Sequence, residues 1–316
     1  MIGRRVARVL GQAERKLFPK SPVILIYHRV NDLGRDLWGI TTDCARFTEQ
    51  IEALKSVRCV VSVPELARAA AERRATDKPL AAVTFDDGYA DVFTEARPIL
   101  ERLDCPSTLF VATDMVDAKR EFWWDELAYV FLEAKDLPSS MKLRFKGGAA
   151  VWRLERPQDF PGVRHELRRR FRDMTADDIE DIMAQIRNWA KIEPLARPEN
   201  RAISSTEAAQ LKGGLMSLGA HTARHPSMPS LDLAGQCEEV EKSRRACEAL
   251  VGERVETFAY PFGHYDAASL KAVRRAGFAF ACTTVPSTVG PWRDALRLPR
   301  IAPGQMDGEA LIRSLG

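Results

Sequence analysis

The sequence predicts an α/β fold: a distorted (β/α) barrel of about seven parallel strands, with an inserted, mainly helical subdomain. Three observations carry the expectation. Short apolar, β-branched runs at 23–28, 59–63, 81–85 and 107–112 alternate with helical patterns, the order that builds parallel sheets. The alternation stops between about Asp114 and Ala202 and resumes at Ser205. A length of 316 residues accommodates either one barrel-sized domain or a domain with a large insertion.

Composition removes several functional classes. The chain is 45% hydrophobic and 29% charged with a formal charge of +3, the balance of an ordinary globular protein and too weakly basic to mark a nucleic-acid binder. Six cysteines, at 44, 59, 105, 237, 247 and 282, show neither CxxC pairs nor the density of a secreted scaffold, so free thiols in a reducing compartment are expected. No apolar run is long enough for a transmembrane helix. Residues 1–20 are basic without an apolar h-region or a small-residue cleavage site. The cytoplasm, or the inner face of the membrane, is the expected location.

Taken in order, residues 1–21 form a basic amphipathic segment. Val6, Val9, Leu10, Ala13, Leu17 and Phe18 share one side of a helix over 4–18, which rests on an anionic membrane, packs on the domain or is a frayed end. Residues 22–113 and 203–316 make the barrel. Its first strand ends in Tyr27-His28, and a histidine there is either a satisfied core residue or a reactive one. Asp43 caps a helix in which Phe47, Ile51, Leu54 and Val57 recur at helical spacing. Pro64 fits the first turn of a helix reaching Ala71, and another helix spans about 91–103.

The insertion covers 114–202. Trp123, Leu127, Val130 and Phe131 mark one amphipathic helix; Ile179, Ile182, Ile186 and Trp189 mark another, capped by Thr175. Gly147-Gly148 joins a short hairpin between them. The insertion either shapes a substrate cleft or is a structural lid. The arginines at 164, 168, 169, 170 and 172 read as a solvated helix face. Beyond the insertion, a helix from Leu233 to Val251 is closed by Gly252, a strand at 257–260 precedes a turn, Asp266 starts a helix ended by Gly277, and 278–284 is a further strand.

Two stretches concentrate chemistry. Val83-Thr84-Phe85-Asp86-Asp87-Gly88 is a strand that stops in adjacent carboxylates and a glycine, where parallel sheets keep their sites. Neighbouring carboxylates repel unless a cation lies between them or one keeps its proton; otherwise Asp86 is a helix cap and Asp87 is solvated. Far downstream, His221 and His225 stand four apart, a spacing that places two imidazoles on one side of a helical turn, although ordinary surface histidines have the same spacing.

Together, Thr84-Phe85-Asp86-Asp87-Gly88 and His221-Thr222-x-x-His225 resemble the first two motifs of the NodB-homology polysaccharide deacetylases, carbohydrate esterase family four. The resemblance implies Asp86 as general base and Asp87, His221 and His225 as ligands of a divalent metal, zinc above all. The apolar strand ending in Tyr27-His28 resembles the permuted poly-N-acetylglucosamine deacetylase branch, which implies His28 as general acid; His264, directly after Tyr260-Pro261-Phe262-Gly263, is the rival. That turn resembles the third motif, except that Ala259 stands where an arginine is usual. Leu298-Pro299-Arg300-Ile301 resembles a Pro-Arg element of the permuted branch, so Arg300 is expected to replace the missing arginine and pair with Asp86. Tyr260, Phe262, His264 and Trp292 are candidate substrate contacts, with Trp292 equally readable as structural.

The implied reaction is metal-assisted hydrolysis of an N-acyl group, most simply N-acetyl, from a nucleotide sugar, a lipid-linked sugar or an oligomeric glycan. A backbone N–H near Phe262 is the candidate oxyanion donor. N-deformylation uses the same atoms. A catalytically silent sugar-binding barrel, or a hydrolase of small cyclic amides, are the competing readings.

Overall fold

The computed structural model describes residues 21–34 and 36–315. The amphipathic segment expected at 4–18 lies outside the described residues. Among the described residues are eleven strands: β1 (Val23–Tyr27), β2 (Arg29–Val30), β3 (Thr41–Thr42), β4 (Cys59–Val60), β5 (Leu80–Phe85), β6 (Ser107–Val111), β7 (Ser140–Phe145), β8 (Gly148–Arg153), β9 (Met216–Ala220), β10 (Thr257–Ala259) and β11 (Phe280–Cys282). Seven of them form one all-parallel sheet in the order β1-β5-β6-β9-β10-β11, with β4 also paired to β5. The sheet curls with helices around it.

The curl is closed by a segment that sequence periodicity did not mark as a strand. Leu298 bridges to Cys282 of β11 and Ile301 bridges to Leu25 of β1, both in the parallel sense. Backbone hydrogen bonds from Ile301 to Ile24 (2.8 Å) and from Ile26 to Ile301 (3.0 Å) complete the join. Residues 298–301 thus link the last strand to the first, and Arg300 rides on that link.

The strands are buried on both faces, which is why they read as continuous apolar runs rather than alternating ones. Residues facing one side join Phe47, Ile51, Leu54, Val240 and Val273 from the helices in the main core. The other side holds Ile24, Ala82, Phe110, Ala259, Cys282 and Leu298. Local signals set the helices as expected. Asp43 caps Cys44–Val57 through the Arg46 N–H, Ser62 and Pro64 open Val63–Ala71, and Gly252 closes Leu233–Val251 at φ 65°. One helix departs from pattern: Val92–Ala96 is a π turn before Arg97–Arg102. All six cysteines are unpaired thiols, and no helix of the described residues is long and apolar enough to cross a membrane.

Residues 114–202 carry the helices Trp123–Leu132, Phe160–Phe171 and Ala176–Ala190 and the β7–β8 hairpin. They bury a cluster of their own around Leu127, Met141, Leu143, Leu167, Phe171 and Ile186. A second small cluster, Tyr89, Ala112, Met115, Phe122, Trp124 and Ala202, ties this body to the strand ends.

Candidate metal and catalytic site

The loops after the strands are stitched to one another, which brings the predicted residues together. Asp86 N–H donates to the Tyr27 carbonyl, Ala112 N–H to Asp87, His221 N–H to Val111, and Thr113 N–H to Thr222. Four non-glycine residues at this end adopt positive φ: Asp87 (73°), Thr222 (64°), His225 (59°) and Phe262 (58°). Such conformations persist only where surrounding contacts dictate them, and they concentrate at functional sites. Gly88 is required as well. At φ +89° its missing Cβ would lie 2.9 Å from a Val111 methyl, so the turn after the carboxylates packs directly on β6.

Asp87, His221 and His225 are buried, and one ligand atom from each lies within 4.8 Å of the others. The imidazole Nε2 atoms stand 3.6 Å (His221) and 3.2 Å (His225) from Asp87 Oδ1. The histidines do not share a helical turn, contrary to the spacing argument. β9 ends at Ala220 and the chain continues as loop, because Thr222 and His225 are left-handed and Pro226 follows. The loop is held by groups that spacing could not reveal. Glu239 accepts the N–H groups of both Ala223 and Arg224 at 2.9 Å, and Thr222 Oγ1 accepts the His225 N–H at 3.0 Å.

These residues fit a divalent cation. His221 Nδ1 donates to the Ala259 carbonyl at 2.7 Å, which fixes the tautomer and leaves the Nε2 lone pair aimed at the carboxylate. Burial holds the His225 imidazole below its ordinary pKa, the direction that favours a ligand nitrogen. Burial pushes the Asp87 carboxyl up, but the His221 and His225 rings set against Oδ1 outweigh it and leave the carboxyl below its usual range. Two imidazoles and one carboxylate are the donor set of an open catalytic centre.

Asp86 faces a different partner. Arg300 Nη1 and Nη2 grip its two oxygens at 2.7 and 2.6 Å, while Nε donates to the Thr283 carbonyl and Nη1 also to Thr84 Oγ1. Arg300 is 1% exposed and Asp86 3%. Burial raises the Asp86 pKa; Arg300 first, then His221 and His28, outweigh it and lower it below the ordinary carboxylate value. Ala259 contributes only a methyl to the barrel interior, and the cation comes from the closing segment instead.

A cavity opens above these groups, lined by His28, Trp38, Ile40, Asp86, Asp87, Trp123, Trp124, Arg168, His221, His225, Phe262 and Thr284. His28 is half-buried there, and Phe262 packs edge-on to His225 at 4.7 Å. Three of the four other candidate contacts lie elsewhere. Tyr260 is fully buried with its hydroxyl on the Leu296 carbonyl, because its side chain points into the main core. His264 lies outside the cavity lining, its Nδ1 3.1 Å from Ser227 Oγ. Trp292 is 59% exposed, packs over Gly290 and is not among the residues lining the cavity. Trp38, Trp124 and Arg168 were missed. Trp38 follows a polar loop, and Arg168 sits in a cluster whose charge suggested a solvated face; instead its guanidinium covers the Trp38 ring at 4.8 Å.

The polysaccharide deacetylase family model matches residues 73–141 and 196–281. The chain belongs to the polysaccharide deacetylase family. YxkH of Bacillus subtilis (strain 168), a protein named for the same family, is 29% identical over 99 residues, 30% of this chain and 34% of YxkH. Among solved structures, the Streptococcus pyogenes deacetylase PplD in complex with acetate is similar over 94% of this chain and 98% of its own, with a TM-score of 0.62 and 16% identity. IcaB from Ammonifex degensii is similar over 93% and 95%, with a TM-score of 0.58 and 17% identity. At these identities the likeness is one of fold.

This deacetylase-family chain buries a further carboxyl behind the His225 wall. Trp124, whose ring lies 5.0 Å from His225, donates its indole N–H to Tyr89 Oη at 2.6 Å, and Tyr89 donates to Asp125 at 2.5 Å. Burial pushes Asp125 up to about 7, despite Arg29 nearby. The unfolded carboxyl ionises near 3.8, so between roughly pH 4 and 7 the folded state holds the extra proton and this group's contribution to stability falls as pH rises. Asp125→Asn keeps an acceptor for Tyr89 and should flatten that slope. In urea unfolding, the wild type should lose about 2 kcal/mol more than the variant between roughly pH 5 and 8.

Proposed function

We propose that this chain is a metal-dependent hydrolase that removes an N-acyl group, N-acetyl in the first instance, from a sugar. The observation that carries this reading is the pairing of two unlike carboxylates at one strand end: Asp87 inside a His-His-Asp donor set and Asp86 clamped by Arg300 beside it. A divalent cation held by Asp87, His221 and His225, zinc by the character of the donors, supplies Lewis acidity toward the amide oxygen and the attacking water. Asp86 takes the proton of that water. Arg300 keeps it ionised in a buried position and fixes both oxygens, each of which retains a lone pair for the transfer. His28, at the same end of the neighbouring parallel strand β1, gives a proton to the departing amine. The backbone at Phe262, held in its left-handed turn, is the candidate donor to the oxygen that gains charge. Trp38, Trp123, Trp124 and Phe262 wall the cavity with apolar faces suited to a sugar ring. Six unpaired thiols support a reducing, cytoplasmic setting for the reaction.

The test is release of free amine from a panel of N-acetyl and N-formyl sugars in the presence of zinc. Asp86→Asn should keep a stoichiometric metal and lose at least about 10³-fold in turnover, the scale of a general base. Normal turnover by the metal-loaded variant would remove Asp86 from the role.

A further inference from the structure

The helix Phe160–Phe171 places Arg164 and Arg168 four residues apart, on one side of the helix. Both turn toward Trp38: the Arg168 guanidinium lies 4.8 Å from the ring centre and that of Arg164 6.0 Å. Trp38 and Arg168 line the same cavity as Asp86, Asp87 and the histidines. A third cation of this helix, Arg170, is neutralised by Glu166 at 2.6 Å. Among the described residues neither Arg164 nor Arg168 has a carboxylate within ion-pair distance. Asp36 is the acid that acts on Arg168 through space, and its oxygens already accept the N–H groups of Trp38, Ile40 and Thr41 at 3.2, 3.0 and 2.9 Å.

Both guanidiniums are half-buried, and the loss of solvent pulls each below its ordinary pKa. Charges partly taken out of water without a carboxylate in direct contact are costly, and an anion arriving between them relieves that cost. A neutral glycan offers nothing to relieve it. Guanidiniums match phosphate oxygens in bidentate geometry, and stacking on an indole pre-orients the planar fork.

We propose that Arg168 and Arg164, stacked at Trp38 beside the metal-site cavity, form a subsite for a phosphate carried by the amido sugar. This inference deepens the proposed function and rests on it for the sugar in the cavity. A nucleotide-diphosphate sugar and a lipid-phosphate sugar share the required chemistry: a phosphate ester near an N-acyl group.

Calorimetric binding to the full zinc-loaded chain tests the subsite without requiring turnover. The probes are N-acetylglucosamine 1-phosphate and methyl N-acetylglucosaminide. The phosphorylated sugar should bind at least about tenfold tighter, and Arg168→Gln should shrink that ratio to about twofold or less with metal content unchanged. Arg164→Gln should give a smaller loss, and Arg168→Lys should restore part of the preference, since charge returns without the fork. Equal binding of the two probes by the wild type, or an undiminished ratio in Arg168→Gln, overturns the proposal. The outcome separates from that of the hydrolase reading. Arginine-dependent preference without amine release from any sugar keeps the subsite and discards the reaction; amine release with no preference does the reverse. Comparing a uridine-diphosphate N-acetyl sugar with a short polyprenyl-phosphate N-acetyl sugar then identifies the source of the phosphate.

Discussion

Arg300→Met should destabilise the chain by about 3–5 kcal/mol at neutral pH, the usual cost of leaving one member of a buried ion pair without its partner. The methionine fills much of the same volume, so the loss is chiefly electrostatic. Asp86 would remain ionised among the Thr84 hydroxyl, the interior apolar cluster and the histidines, and the Thr283 carbonyl would lose its donor. The sign of the pH effect follows. In the wild type the Asp86 pKa is depressed, so its contribution is present above the unfolded value and fades only as pH falls through the lower folded value. In the variant, burial is opposed only by the weaker influence of His221 and His28 and raises the pKa relative to the wild type, so the deficit should be largest near neutrality and shrink toward pH 4 as the carboxyl regains its proton. Adding Asp86→Asn to Arg300→Met should recover more than half of the lost stability, while neither variant turns over substrate. A loss below about 1 kcal/mol, or one indifferent to pH, would show that the guanidinium is not the carboxylate's counter-charge.

The second large effect concerns the metal. Thermal and urea unfolding of the wild type should depend on zinc concentration, with about 2.7 kcal/mol added at a free concentration 100 times the dissociation constant. Asp87→Ala or His225→Ala should abolish that dependence and amine release together, since each removes one of three donors whose ligand atoms lie within 4.8 Å. Chelation of the wild type should reproduce both losses, and zinc should reverse them. Zinc-dependent stabilisation persisting in Asp87→Ala would place the metal elsewhere.

How much of this was legible depended on the kind of information each residue carries. Asp86, Asp87, His221 and His225 were readable because chemistry-bearing types at strand ends are rare, and Gly88 confirmed the turn. The capped helices were readable from Asp43, Thr175 and Gly252, since caps are local. The closing segment was readable only through the Pro299-Arg300 resemblance. Its two single-residue bridges leave no alternating or apolar run for periodicity to register. Tyr260 and Trp292 misled because a motif fixes residue type, whereas facing depends on the twist of the strand and the path of the loop. Trp38 and Arg168 stack on each other at the cavity from positions 130 apart by their numbering, and nothing in either neighbourhood announces the other. Glu239 shows the same limit: a helix-borne glutamate looks solvated until the loop it anchors is in view.

The link at 298–301 has a bearing on the order in which the molecule matures during synthesis. Asp86 and its guanidinium partner are 214 positions apart, and translation supplies the acid long before the base. A nascent chain that has cleared the ribosome only as far as β11 holds a lone anion in its interior and two raw sheet margins, those of β1 and β11, open to other chains. The same four residues seal the margins and cancel the charge, so charge balance at the site and protection from self-association arrive in one late step.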